Sequence, residues 1–466
     1  MPIDPHIFRA YDIRGKAGTQ ITEEVSELIG RGFGTIVREM YGADHPSLAV
    51  GRDARTHSPA FEDAVVRGLR DAGCNVLRIG PVPSPMNYFT VCDRGLDGSI
   101  QITASHNGPE DNGLKLQTRG AAAFSGDDLQ RLYKKIIQGA FLTGNGTKEE
   151  TDAFAPYLAA LTRQFGNPGK GIRAVVDTGN GVAGPAYTTV LRALGIEVTG
   201  LFTEPDGRFP NHLADPSKQE TLAELQKTVL SHKADIGLAF DGDGDRVGVV
   251  DETGAIRTAD EILLLLAEEH LKRHPGKPVV FTVSNSGALE TEIRRWGGEP
   301  VMCAVGHSFV EHEMLARGSL LGGEQSGHFF CFEKYHPFDD ALVAALHVLR
   351  ILSDRGKPFS ALFRNFPKVY QMPELRPHCP DGAKARIVTA AAEHFATRYP
   401  VNSLDGARID FGDGAWAGIR KSNTSPRLSI CIEARSPGKL KEVERIVLEH
   451  LKTYPEIMLP FPPASC

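Results

Sequence analysis

Cysteine pairing, long apolar runs and an excess of positive charge are all missing from this sequence. Its seven cysteines, Cys74, Cys92, Cys303, Cys331, Cys379, Cys431 and Cys466, are odd in number, widely scattered and never in C-x-x-C spacing. That argues against disulfides and zinc and implies a reducing compartment. The longest strongly apolar stretch, Ile262 to Ala267, is too short to cross a bilayer. The opening Met-Pro-Ile-Asp-Pro lacks the charged and apolar regions of a signal peptide, so the expected location is cytoplasmic with no membrane partner. With 52 Lys and Arg against 58 Asp and Glu, the formal net charge is -6, and no basic field exists to grip a nucleic acid.

What is present describes a globular chain. Hydrophobic residues make up 41% and charged residues 24% of 466 positions, which at ~100 to 150 residues per domain implies three or four domains. Apolar residues recur at helical period over 21 to 41, and Pro59 to Gly73 reads as a helix closed by glycine, with Ser47 to Gly51 a strand between them. Leu142 to Glu150 is rich in turn formers and charge and marks the first boundary. Strands are expected at Arg173 to Asp177, Ile236 to Phe240, Val247 to Val250, Val279 to Val283 and Pro300 to Val305. Helices at Asp260 to Arg273 and Gly287 to Trp296 alternate with them, the signature of α/β units. Phe338 to Arg355 reads as a long amphipathic core helix, and the pattern shifts near residue 368 to a last linker. Two helical stretches and the strand Leu428 to Ala434 complete the tail. The boundaries read from this pass are 1–148, 149–254, 255–367 and 368–466.

Four loops carry the chemistry. The apolar run ending at Thr103 leads into Ala104-Ser105-His106-Asn107-Gly108-Pro109, which places the Ser105 hydroxyl at the mouth of a strand, where open α/β sheets put their chemistry. There is no G-x-S-x-G elbow, and His106, adjacent in sequence, is poorly placed as a base, so an acyl-transfer triad is unsupported and a phosphoryl carrier fits better. Asp241-Gly-Asp243-Gly-Asp245-Arg246 follows another strand. Three carboxylates in so short a span repel one another unless a hard divalent cation holds them. An EF-hand is excluded because Arg246 stands where the turn glycine is required. Gly322-Gly323-Glu324-Gln325-Ser326-Gly327-His328 offers hydroxyl-recognising groups beside an imidazole, and Gly306-His307-Ser308 ends another strand. Arg420-Lys421-Ser422-Asn423-Thr424 clusters a guanidinium, hydroxyls and an amide suited to a phosphate dianion. Two charged segments are less distinctive. Phe8 to Gly15 contains Tyr11 and Arg14, and Arg52-Asp53-Ala54-Arg55 is nearly as well explained by a surface ion pair. A rival signal is Gly179-Asn-Gly181-Val-Ala-Gly184 with Glu204 beyond it, matching G-x-G-x-x-G and a nicotinamide oxidoreductase.

Thr103-Ala-Ser-His-Asn-x-Pro-x-x-Asn-Gly-x-Lys115 resembles the phosphoserine loop of the α-D-phosphohexomutases, departing only at Gly108, where many members have a second proline and where the turn is expected to loosen. The Asp-Gly-Asp-Gly-Asp-Arg, Gly-Glu-x-Ser-Gly-His and Arg-x-Ser-Asn-Thr loops follow in that family's order. The resemblance implies three related α/β domains with mixed sheets and a C-terminal α+β domain, heart-shaped around a central cleft. It implies reversible movement of phosphate between the 1- and 6-positions of mannose or glucose phosphate, through a phosphoserine at Ser105 and a hexose 1,6-bisphosphate. Mg²⁺ would be held by Ser105, Asp241, Asp243 and Asp245, and glucose 1,6-bisphosphate would activate. Lys115 and His328 would serve in proton transfer or oxyanion stabilisation. Tyr11, Arg14, Arg246, His307, Glu324, Ser326, Arg420, Ser422, Asn423 and Thr424 would bind substrate, and Gly51 to Arg55 would lie near the cleft. A monomer or dimer is expected. Asn423 favours the mannose and glucose members, whereas Gly-Glu-Gln-Ser-Gly-His is common among phosphoglucosamine mutases, so that alternative stays open. A non-catalytic sugar-phosphate sensor is the other reading.

Overall fold

A computed structural model describes residues 3–422 and 425–458. Three of its four sheets repeat one pattern. In the first unit the strands Ser47–Arg52, Asn75–Pro81, Gly98–Ile102 and Asp111–Thr118 lie in the spatial order second, first, third, fourth. The first three are parallel, and the fourth returns antiparallel as a hairpin partner of the third. Arg173–Asp177, Glu197–Leu201, Ile236–Phe240 and Val247–Asp251 repeat this order and direction in the second unit. Pro278–Thr282, Glu299–Cys303, Leu321–Gly323 and Phe329–Cys331 repeat it again in the third. Parallel neighbours need helical crossovers that cover the sheet faces. Accordingly Gly98–Ile102, Ile236–Phe240 and Pro278–Thr282 are buried at every position. The helix Glu23–Tyr41 precedes the first repeat and packs on the helix Ser58–Asp71; Thr22 accepts the Val25 N–H at its start, and Gly42 ends it in the left-handed conformation.

Because the third-to-fourth connection is a hairpin in all three repeats, each unit projects one short turn from the same corner of its sheet. Those turns contain Ser105, then Asp241 to Asp245, then Glu324 to Ser326. A single apolar cluster runs through the first three units, from Phe89 and Tyr157 to Phe240, Phe281 and Phe338. The fourth unit keeps its own core around Ile387, Phe395, Ile419, Ile430 and Val447. There, an antiparallel sheet of Tyr370–Gln371, Leu428–Ala434, Trp416–Lys421, Ala407–Asp410 and Val401–Asn402 is packed by the helices Asp381–Ala396 and Pro437–Leu451.

Three sequence expectations change. The turn-rich segment 142–150 ends in the strand Lys148–Glu150, which pairs with Asn75–Pro81 at the edge of the first sheet. The linker near 368 contains Tyr370–Gln371, an edge strand on Leu428–Ala434, because backbone pairing needs no apolar pattern at an edge. The helix expected from Phe338 starts at Ala341, since the Asp340 side chain accepts the N–H groups of Leu342 and Val343 and caps it. Among the described residues no helix is long and apolar enough to cross a membrane.

Candidate active site

Ser105 sits with φ at 51°, a left-handed conformation unusual for a residue with a Cβ. Its N–H donates to Thr103 Oγ1 (2.8 Å), and its hydroxyl donates to Asp241 Oδ2 (2.8 Å). His106 Nδ1 lies 3.1 Å from the same oxygen. Since the hydroxyl proton is committed to the carboxylate, His106 donates to Ser105 rather than accepting from it. Burial and the charges of Arg246 and Arg14 hold that imidazole well below its ordinary pKa, hence neutral. The strain of the turn is held from behind by Arg55, whose guanidinium donates to the carbonyls of Ser105 (2.8 Å), Asn107 (2.7 Å), Gly108 (2.5 Å) and Asp111 (3.0 Å). Asp53 in turn pairs with Arg55 at 2.9 Å, and both are buried. Of the two readings of this segment, near the cleft or a surface ion pair, the pair lies in the interior as a clamp behind the Ser105 turn, and the turn at Gly108 is gripped where loosening was expected.

The acidic loop meets this turn backbone to backbone. A Cβ on Gly242 would stand 2.5 Å from the Ser105 carbonyl oxygen, so only glycine lets the two loops close. Asp241 Oδ1 accepts the N–H groups of Gly244 (3.0 Å), Asp245 (3.1 Å) and Arg246 (3.1 Å), which wraps the loop around its own first carboxylate. Lys115 Nζ, reaching across from Asp111–Thr118, donates to Asp243 Oδ2 (2.6 Å) and to Asp245 Oδ2. Against the opposing pull of burial, Asp243 and Asp245 raise the Lys115 pKa far above its ordinary value, so it is a fixed cation. Ser84 also donates to Asp243. The remaining oxygens, Asp243 Oδ1 and Asp245 Oδ1, are buried with no hydrogen-bond partner among the described residues. One oxygen from each aspartate falls within 4.8 Å of the others. Burial first, then the charges of Asp245 and Asp243, push the Asp241 carboxyl up. Acceptors left without donors and carboxylates in mutual repulsion are what a hard divalent cation relieves, so this oxygen set fits Mg²⁺.

Beyond the trio, a cavity opens between the units, lined by Tyr11, Arg246, His307, Glu324, His328 and Arg420. Arg246 Nε donates to His328 Nε2 (2.8 Å). Arginine has no acceptor, so Nε2 carries no proton, and Nδ1–H donates to Asp339 Oδ2 at 2.6 Å. Burial lowers His328 and raises Asp339, keeping one proton between them. The His307 ring stacks on His328 at 5.6 Å, and Tyr11 meets His307 edge-on at 5.2 Å. Arg14, paired with Asp12, donates to Asn107 Oδ1 at 3.1 Å. Glu324 Oε1 is buried without a partner among the described residues, while Oε2 accepts from Ser326 at 3.3 Å. At the far end Arg420 pairs with Asp405 (2.9 Å), and Ser422 Oγ accepts from Arg376 (3.0 Å). The Lys384 ammonium donates to the Ser422 and Ser425 carbonyls, each at 2.9 Å.

The structure thus brings Tyr11, Arg14, Ser105, Lys115, Arg246, His307, Glu324, Ser326, His328, Arg420, Ser422 and the three aspartates to one cleft. Asn423 and Thr424 lie outside the described residues. The G-x-G-x-x-G turn is closed to a dinucleotide. A Cβ on Gly179 would stand 2.9 Å from Ala214 and one on Gly181 2.9 Å from the Gly242 carbonyl oxygen, so the glycines that would face a pyrophosphate are covered by the chain itself and serve packing. Sequence reasoning did not find Ser84, Asp339, Arg376 or Lys384. No motif contains them, and Glu374 and Arg376 fell in the supposed linker.

A threefold repeated α/β unit and an α+β unit that converge a serine hydroxyl, a carboxylate trio, a buried lysine and several guanidinium groups on one cleft define an enzyme of phosphoryl transfer. Residues 5–143, 155–254 and 258–370 match phosphoglucomutase/phosphomannomutase α/β/α domains I, II and III, and 374–450 match the C-terminal domain of the same family. The chain belongs to the phosphoglucomutase/phosphomannomutase family and is an isomerase of the intramolecular phosphotransferase class. It is 37% identical to a phosphomannomutase/phosphoglucomutase of Pseudomonas aeruginosa, over 98% of this chain and 97% of that one. It is 36% identical to a phosphoglucomutase of Neisseria gonorrhoeae, over 97% and 98%, and 33% identical to a probable phosphoglucosamine mutase of Methanopyrus kandleri, over 94% and 95%. The crystal structure of a phosphoglucomutase/phosphomannomutase family protein from Burkholderia thailandensis is similar to it with a TM-score of 0.90 at 37% identity, covering 99% of this chain and 100% of that one.

Proposed function

We propose that this chain reversibly moves a phosphoryl group between the 1- and 6-oxygens of mannose or glucose phosphate, with Ser105 as the phosphoryl carrier. The observation that carries this is the 2.8 Å hydrogen bond between Ser105 Oγ and Asp241 Oδ2, which unites the hydroxyl of the first unit with the carboxylates of the second. Asp241, Asp243 and Asp245, with Ser105, would hold Mg²⁺, which when bound neutralises charge on the transferring phosphoryl group. In the forward half-reaction the sugar oxygen forms a bond to phosphorus as the phosphorus–Ser105 Oγ bond breaks. The sugar hydroxyl loses its proton to His328 Nε2, which becomes available when substrate phosphate draws Arg246 away. Lys115, fixed as a cation, stabilises developing negative charge and takes no part as a base. His106 donates a hydrogen bond to the departing Ser105 oxygen. The distal phosphate rests on Arg420, Ser422, Asn423 and Thr424, with Arg376 as a further donor at Ser422. Glu324 and Ser326 read sugar hydroxyls, and Tyr11, Arg14 and His307 shape the cleft wall. The bisphosphate then turns over to return its other phosphate to Ser105, so free glucose 1,6-bisphosphate activates.

We take the domains as 1–148, 149–254, 255–367 and 368–466, with the strand Lys148–Glu150 pairing into the first sheet. The names of the 36–37% identical relatives favour mannose and glucose over glucosamine. Mass spectrometry should find phosphate on Ser105 after incubation with glucose 1,6-bisphosphate. Transfer from labelled enzyme that survives in Ser105→Ala would overturn the assignment. Rates on mannose, glucose and glucosamine 1-phosphates decide the sugar.

A further inference from the structure

A second cluster of metal-ligating side chains lies on the outer side of the third unit, apart from the cleft. The helix Ala259–Arg273 ends with His270 on its last turn and His274 as its C-terminal cap. Their spacing of four stacks the two rings on one side of the helix, with centroids 4.7 Å apart. Glu333, just past the hairpin strand Phe329–Cys331, closes over them. His274 Nε2 stands 3.2 Å from Glu333 Oε1, and His270 Nδ1 stands 3.9 Å from Glu333 Oε2. One ligand atom from each of the three falls within 4.8 Å of the others. His270 is 4% exposed, and its second ring nitrogen is buried with no partner among the described residues. His347 Nε2, on the helix Ala341–Arg355 and lining the same small cavity, is also buried and unpartnered.

Buried imidazole nitrogens without donors or acceptors lose the hydrogen bonds that water would give them, and a neutral ring supplies a lone pair to a metal. We propose that His270, His274 and Glu333 bind one divalent transition-metal ion of the zinc type. Two nitrogens and one carboxylate oxygen suit zinc and leave a fourth position open, whereas Mg²⁺ prefers oxygen ligands alone. Arg273 donates to Glu333 Oε2 at 3.0 Å and fixes the carboxylate, leaving Oε1, which faces His274, for the ion. Glu333 lies in the chain between His328 and Asp339. A metal here would therefore staple the outer end of the loop whose inner end fixes His328. The proposal rests on no part of the catalytic reading.

Isothermal calorimetry tests it on the full chain, stripped with EDTA and returned to excess Mg²⁺ so that the acidic trio is saturated. Zinc chloride should bind at one equivalent with Kd below about 1 μM, and zinc should raise Tm. His274→Gln should weaken that binding about a hundredfold or more. It should leave Mg²⁺-supported turnover and the zinc-free Tm unchanged. Asp243→Asn should keep the zinc site within about threefold of the wild-type affinity. Co²⁺ should show ligand-field bands of a four-coordinate nitrogen-containing site in the wild type and lose them in His274→Gln. The proposal is overturned if the wild type takes up no zinc under excess Mg²⁺, if His274→Gln binds it as tightly, or if the equivalent disappears in Asp243→Asn. Any of these leaves an ordinary histidine–glutamate contact.

Discussion

Two residues outside the four loops hold Ser105 and His328 in place. Asp339 fixes the His328 tautomer, because its carboxylate accepts Nδ1–H while Arg246 occupies Nε2. Asp339→Asn presents an amide in place of that acceptor and should lower kcat about 10²-fold or more with little change in KM, as measured in a coupled mutase assay. Arg55 acts one step further back. Arg55→Met removes four carbonyl partners and strands the Asp53 carboxylate in the interior. Unfolding in urea should show a loss of about 3–5 kcal/mol, since the remaining charge is buried and unpaired.

At the scale of elements, the same hairpin turn was reused for three different tasks, and local sequence explains why it was readable. Ser105, the aspartates and Glu324 each sit at the end of an apolar strand, among glycines and polar residues that no strand or helix would use. Their partners were not readable, because Ser84 reaches Asp243 across 159 positions and no spacing rule spans such a distance. The edge strands Lys148–Glu150 and Tyr370–Gln371 were missed for a related reason. Each is held by one neighbour's backbone and carries no alternating apolar pattern. Loop contact at backbone range gives a sharp test. Gly242→Ala should forbid the approach to the Ser105 carbonyl and nearly abolish phosphate incorporation at Ser105 by mass spectrometry, while far-ultraviolet circular dichroism stays unchanged. Asp340 ties a third element, capping its helix while accepting from the Tyr157 and Tyr335 hydroxyls. Asp340→Ala should cost at least about 1–3 kcal/mol in the same denaturation measurement.

For the molecule as a whole, contacts between units differ in kind. The first three share an apolar cluster, whereas the fourth touches the third through polar groups. Arg408 donates to the Asn285 carbonyl at 2.9 Å, the Gly287 N–H donates to Glu433 at 3.0 Å, and the Val305 N–H donates to Asp405 at 3.0 Å. With no apolar core shared across this junction, the last unit is the one expected to move on substrate binding. Small-angle scattering should report a smaller radius of gyration with bound glucose 1,6-bisphosphate than without. Glu311 gives the junction of the first and third units a pH dependence. It accepts the Ala123 N–H at 3.0 Å, and burial pushes its carboxyl up to about 8. The folded chain keeps this proton between about pH 4.5 and pH 8 while the unfolded chain releases it, so stability falls as pH rises through that window. Differential scanning calorimetry should show Tm declining from about pH 5 to about pH 8.5, with a shallower decline in Glu311→Gln.

The abutment of Gly242 on Ser105 has a consequence during synthesis. The serine leaves the ribosome 136 positions ahead of the aspartate that accepts its hydrogen bond. A nascent first unit therefore presents the Ser105 hydroxyl without its carboxylate acceptor. A first unit made alone should therefore take up no phosphate at Ser105, and incorporation should begin only once the second unit is in place.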